Sequence, residues 1–229
     1  MKIALISTPR SGNTWLRALL ARLYGLQQYA VHTPQELVWH ALPPACIVQL
    51  HWHCTADFTA LLQREGMRAL TIARHPLAVL LSIWHFARYE PQTANWLAGE
   101  GGNESTILER PVASQAFLDY ACSPRAAALL AVTPEWFIRP EVTGVCYEDL
   151  IFSPVQALKK LCEKLGEPVC SIDVALQETS LEKLRLTAAN EHFWQGLPFA
   201  WRDAIPPNHA YKIWPVHRTV FDALGYSEP

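Results

Sequence analysis

Along the chain, short and nearly continuous apolar runs alternate with longer stretches whose apolar positions recur every three or four residues. Residues 2–8 (KIALIST), 45–51 (ACIVQLH) and 67–73 (MRALTIA) are of the first kind. Residues 14–26 (TWLRALLARLYGL), 55–66 (TADFTALLQREG) and 77–89 (LAVLLSIWHFARY) are of the second, and two of these close at or near a glycine, Gly25 or Gly66. A strand buried on both faces has no polar side to show, so it reads as a solid apolar run. Strands of this kind alternating with helices predict an α/β fold with a central parallel sheet flanked by helices. A further strand is expected at 144–150 (GVCYEDL), running into a turn. Ser153 and Pro154 then supply an N-cap and a first helical residue for a helix through 155–166.

Residues 90–140 break the alternation. Gly99-Glu100-Gly101-Gly102, scattered prolines and tryptophans predict loops there, with helices around 112–131. The tail holds a Gly-Leu-Pro segment at 196–198, then AWRDAIPP, then an amphipathic piece ending at Leu224-Gly225-Tyr226. No repeat, low-complexity tract or linker interrupts the 229 residues, so a single domain over 1–229 is expected.

Composition narrows the chemistry. Half the residues are hydrophobic and 17% are charged, which is a globular balance. A net charge of −2 gives no general attraction for nucleic acid, so any anion site must be a local concentration of donors. The six cysteines form no C-x-x-C pair and fall in or near apolar segments, which predicts free, buried thiols. With no leader-like start and no apolar run long enough for a bilayer, a cytoplasmic location is expected.

In an open α/β sheet, ligands bind beyond the carboxyl ends of the strands. Three polar groups fall there. Arg10-Ser11-Gly12-Asn13-Thr14 joins the first strand to the first helix. Gly12 allows close backbone approach, the amides of residues 12–15 open the helix, and a helix N-terminus attracts anions. The nucleotide-triphosphatase pattern G-x-x-x-x-G-K-[ST] is missing, because the chain offers one glycine preceded by an arginine. Arg74-His75-Pro76 ends the third strand, with Ser82 on the second helical turn beyond it; an arginine fork and a hydroxyl suit a phosphate. His51-Trp52-His53 ends the second strand. Alternation puts the two imidazoles on one side if the strand continues, and with no further Cys, Asp or Glu at ligand spacing they leave proton transfer or a structural role, not a metal.

These segments together resemble the sulfotransferase family that uses 3′-phosphoadenosine 5′-phosphosulfate (PAPS). STPRSGNTW is similar to the family's 5′-phosphosulfate loop, which assigns Arg10, Ser11, Gly12, Asn13, Thr14 and Trp15 to the co-substrate. TIARHPLAVLLSIWHF resembles its 3′-phosphate segment, carrying over Arg74 and Ser82. CYEDL followed by a proline-initiated helix looks like the family's structural strand and helix. GLPFAWR resembles the late loop over the nucleotide, with Gly196, Trp201 and Arg202 in matching places. The resemblance runs in order from residue 2 to about 226 and implies a P-loop-like three-layer architecture. It also implies His51 as the catalytic base, Arg10 as a catalytic cation, and no metal. Two positions depart from the family: Gln49 stands where a lysine is common, and Gln195 where a basic residue precedes the late glycine.

The implied reaction moves the sulfuryl group in line from PAPS to a hydroxyl or amine of a small-molecule, glycan or lipid acceptor. Nucleic acid is not an expected partner, and neither acceptor identity nor oligomeric state is readable. The alternatives are a P-loop nucleotide kinase, which needs Mg²⁺ and a Walker lysine, and a catalytically inactive nucleotide-binding relative.

Overall fold

The structure, a computed structural model, describes residues 1–88, 93, 96–97, 104–187 and 196–229. Gly99–Gly102, where the sequence predicts a loop, and Tyr89, Trp194 and Gln195 lie outside the described residues.

Five strands form one sheet: β1 (Lys2–Ile6), β2 (Gln27–Ala30), β3 (Cys46–Leu50), β4 (Arg68–Ala73) and β5 (Thr143–Cys146), in the order β2-β3-β1-β4-β5. Every pairing is parallel. Alternation along β1 divides the core in two. Ile3 and Leu5 pack with Ile47, Leu70 and Ile72 beneath α1 (Asn13–Tyr24) and α7 (Pro154–Leu165). Ala4 and Ile6 face the other way, with Val48 and Leu50, toward α3 (Pro76–Ala87) and α5 (Pro124–Phe137). Helices thus cover both faces of a parallel sheet, as the apolar runs predict. All six cysteines are free, although only Cys46 is buried and the other five are partly exposed.

Several boundaries differ from the sequence-based expectation. Glu148-Asp149-Leu150 is not strand: β5 ends at Cys146, and Tyr147–Phe152 forms a short helix, α6. Its first turn carries Glu148 and Asp149, where the positive end of the helix dipole favours carboxylates. Ser153 occupies the N-cap of α7 with Pro154 at the first position, but its hydroxyl makes no capping bond. The middle helices are α4 (Gln115–Ala121) and α5, which continues to Phe137 through an internal Pro134. The remaining helices are α2 (Ala56–Arg64), α8 (Ile172–Glu178), α9 (Leu181–Thr187), α10 (Ala200–Ala204), α11 (Pro207–Val216) and α12 (Arg218–Leu224). The sequence pattern misses β2, α8 and α9. β2 is an edge strand, largely exposed, so QQYA carries no apolar signature.

Candidate active site

β1, β3 and β4 lie side by side with Ile6 opposite Leu50, so the segments after them emerge at one edge of the sheet. The loop after β1 is braced from within. Asn13 folds back, its Nδ2 donating to the Thr8 carbonyl at 3.0 Å while its Oδ1 accepts from the Ser7 hydroxyl. From α5, the Thr133 hydroxyl accepts from the Thr8 amide at 2.7 Å, and the Thr133 amide donates to the Thr8 hydroxyl at 3.2 Å. The Asn13 side chain is therefore used for bracing, and its backbone N–H is what it can offer an anion. Gly12 caps α1 with φ 103° and makes no side-chain cap, and a helix start is where backbone N–H groups meet an anion. The Ser11 hydroxyl is buried without a protein partner. Thr14 is half-buried on the first turn. The Trp15 indole turns away to donate to the Thr179 carbonyl at 3.1 Å, so it packs α1 against the end of α8.

Two of the three sequence-predicted arginines come together here. Arg10, at φ 68°, donates from Nε to the Ser82 hydroxyl at 3.2 Å and lies 4.0 Å above the Phe86 ring. Arg74 donates from Nη1 to the Arg10 carbonyl at 3.0 Å and lies 4.4 Å over the Tyr147 ring. Its Nε is buried with no protein partner. Burial, and then the neighbouring Arg74, pull the Arg10 guanidinium down to a pKa of about 9. Burial also lowers Arg74, partly offset by Tyr147 and Glu148. Two desolvated cations side by side are stabilised by an arriving anion.

A small pocket joins Arg74, Ser82, Gly196 and Trp201 with Ala78, Leu81, Leu197 and Ala200. The Gly196 carbonyl accepts from the Tyr147 hydroxyl at 2.8 Å, which ties the late loop to the site. Trp201 stacks on His75 at 4.4 Å, with its Nε1 buried and unpartnered. Arg202 stays outside the pocket, exposed, with its guanidinium 4.6 Å over Phe199.

The two histidines part company, because β3 stops at Leu50. His51 is buried, and its Nδ1 lies 2.7 Å from the Ser7 carbonyl. A carbonyl can only accept, so Nδ1 carries the proton and Nε2 keeps a lone pair. Burial chiefly lowers the imidazole to a pKa of about 4, with His32, Arg10 and Arg17 adding to the effect. His53 instead engages the Glu135 carboxylate of α5 at 2.9 and 3.0 Å. Of the tryptophans near the site, Trp39 and Trp136 pack around Phe58 in the core, Trp52 and Trp84 are partly buried, and Trp96 meets His51 edge-on at 6.1 Å.

Sequence reasoning did not single out Tyr147, Phe86, Thr133 or Glu148. Glu148 accepts from the His75 amide at 3.0 Å and from the Tyr226 hydroxyl at 2.7 Å, holding the turn that carries Arg74. Among the described residues, no group of three or more His, Cys, Asp or Glu is placed to hold a metal ion, and no helix is long and apolar enough to cross a membrane.

Solved structures of the same fold include mouse sulfotransferase SULT7A1 complexed with PAP. It is 16% identical at a TM-score of 0.72, over 96% of this chain and 83% of that one. Retinol dehydratase in complex with androsterone and inactive cofactor PAP matches at 15% identity and a TM-score of 0.64, over 96% of this chain and 80% of that one. The sulfotransferase domain from the curacin biosynthetic pathway matches at 16% and 0.54, over 100% and 98%. No curated protein matches the chain. Residues 1–213, almost the whole sequence, match the sulfotransferase domain, and the chain belongs to the sulfotransferase family.

Proposed function

We propose that the protein transfers the sulfuryl group of PAPS to a hydroxyl or amine of a small-molecule, glycan or lipid acceptor, within a single domain and in the cytoplasm. The observation that carries this reading is the meeting of Arg10, Arg74 and Ser82 at the uncapped start of α1. There the Arg74 Nε and the Ser11 hydroxyl are buried without protein partners. Buried donors without acceptors are costly unless a ligand supplies the acceptor. The site therefore suits a ligand with two separate anionic groups.

PAPS supplies an activated sulfuryl group and leaves as 3′,5′-adenosine bisphosphate (PAP). Arg10 and the first-turn amides of α1 stabilise the negative charge that grows at the 5′ end, a preorganised electrostatic contribution. Arg74 and Ser82 hold the 3′-phosphate, with Gly196 and Trp201 closing the pocket beside them. His51 takes the acceptor's proton at Nε2, since the Ser7 carbonyl fixes its Nδ1–H. The family's common lysine is replaced by Gln49, so the cation nearest the leaving group is Arg10. Retinol and androsterone are bound by retinol dehydratase; those hydroxyl-bearing molecules support a small-molecule acceptor here.

A nucleotide kinase is the weaker reading, because the chain has no Walker lysine. Calorimetry with EDTA present separates the two. PAP is expected to bind more tightly than ATP does with Mg²⁺ restored, and the reverse order would sink the sulfotransfer reading. Within it, Arg74→Ala is expected to weaken PAP binding by about 1.5–3 kcal/mol, the range for a hydrogen bond to a charged group. The loss should nearly disappear with adenosine 5′-phosphate, which lacks the 3′ group. Equal losses for both ligands would remove Arg74 from the 3′-phosphate role.

A further inference from the structure

A continuous stack of side chains joins the two groups assigned to the chemistry. The Arg10 guanidinium lies 4.0 Å above Phe86, and Phe86 stacks on Trp96 at 6.0 Å with 10° between the rings. Trp96 then meets His51 at 6.1 Å and 78°. Trp96 is buried, in a short stretch followed by Leu97, whose φ of 54° lies in the left-handed region that a leucine rarely adopts. Such a backbone persists only where its surroundings hold it.

The hold comes from behind the site. Arg125, near the start of α5, donates from Nη1 to the Trp96 carbonyl at 3.1 Å and from Nη2 to the Thr93 carbonyl at 3.2 Å. Its Nε donates to Glu104 Oε1 at 2.9 Å, and the Tyr120 hydroxyl donates to the same oxygen at 3.1 Å. Both charged side chains are only 2% exposed. An ion pair this deep is a poor device for stability, because desolvation offsets most of its attraction. It is a good device for direction: the planar fork of an arginine fixes three acceptors at once.

We propose that Arg125, locked by Glu104, is a positioning residue that holds Trp96 against His51 and so keeps the imidazole dry and in one orientation. The inference rests on the reading of His51 as the base. Burial apart, the Ser7 carbonyl on Nδ1 favours protonation of the imidazole, while the charged and titratable groups around it, His32 beyond β2, Arg10 from the loop after β1 and Arg17 of α1, disfavour it. None of them is touched by a change at Arg125. Loss of the clamp therefore relaxes only the burial of His51, and water reaching the ring moves its titration upward.

The test follows the His51 ring by NMR through a pH titration of the full chain, with PAP affinity measured beside it. Three variants are compared: the double replacement Arg125→Met with Glu104→Met, which leaves no unpaired buried charge; Arg125→Lys, which keeps the charge without the fork; and Trp96→Ala. All three are expected to raise the His51 midpoint from about 4 toward 6.5. PAP affinity should stay within roughly threefold in Arg125→Lys, where the rings remain, and fall further in Trp96→Ala, which removes the ring stacked on Phe86 beneath Arg10. A midpoint that stays near 4 in folded Trp96→Ala overturns the proposal, whether or not the double variant folds. A midpoint that moves in Trp96→Ala but stays fixed in Arg125→Lys overturns the role of the arginine. Failure of the unaltered protein to bind PAP overturns the sulfotransfer reading alone, and a fixed midpoint overturns the clamp alone.

Discussion

His51→Ala is expected to lower turnover by about 10²–10⁴-fold, the usual cost of removing a general base, while PAP binding and folding survive. The imidazole directly follows the interior strand β3, its Nδ1 is fixed by the Ser7 carbonyl, and its Nε2 is left for the acceptor's proton. His53→Ala should lose much less, because that ring is partly exposed and committed to Glu135 on α5. The pH dependence gives a second readout. The free enzyme's imidazole is lowered to about 4, so it is neutral at pH 7 and stays so as pH falls until about 4. The low-pH limb of kcat/KM, which reports the free enzyme, should then fall near pH 4 and not near 6.5. The limb of kcat should lie higher, because a bound anion beside Arg10 favours the imidazolium. Turnover, melting temperature and both pH profiles of the two alanine variants check this. Near-normal turnover in folded His51→Ala would move the role of base elsewhere.

The positions that could be read from the sequence are those whose neighbours in the chain fix them. Arg10, His51 and Arg74 each follow a central strand within a few residues, and a central parallel strand is apolar on both faces, so its end is conspicuous. The edge strand β2 is exposed and leaves no such trace. Tyr147 was hidden for a different reason: an apolar run into Tyr-Glu-Asp-Leu fits a strand as well as a helix start, and the helix wins through Glu148 and Asp149 in its first turn. Pro134 falls among the scattered prolines that predict loops in residues 90–140, yet α5 passes through it and delivers Thr133 to Thr8 and Glu135 to His53. Those contacts span 125 and 82 residues of sequence. No local pattern encodes such a distance. Alternation puts His51 and His53 on one side only if the strand continues; β3 stops at Leu50, and the two rings take different partners, Ser7 and Glu135.

Gly12→Ala is expected to destabilise the fold by roughly 2–5 kcal/mol, adding about 1–2 for a left-handed backbone and about 1–3 for overpacking. At φ 103° the position disfavours any side chain, and a Cβ there would sit 2.5 Å from Tyr147 Cδ2 and 2.9 Å from its Cε2. Tyr147 cannot retreat freely. Its ring supports the Arg74 guanidinium, meets Trp15 edge-on, and its hydroxyl holds the Gly196 carbonyl. The added methyl should therefore reach the nucleotide pocket through Tyr147, weakening PAP binding as well as lowering the melting temperature. A double-mutant cycle separates the two causes. In a Tyr147→Ala background the ring is gone, Ile72 Cδ1 at 3.3 Å is the tight neighbour that remains, and Gly12→Ala should cost little beyond the backbone part of about 1–2 kcal/mol. A cost that is the same in both backgrounds would show that the glycine is required for its φ alone, and that the contact with Tyr147 is incidental.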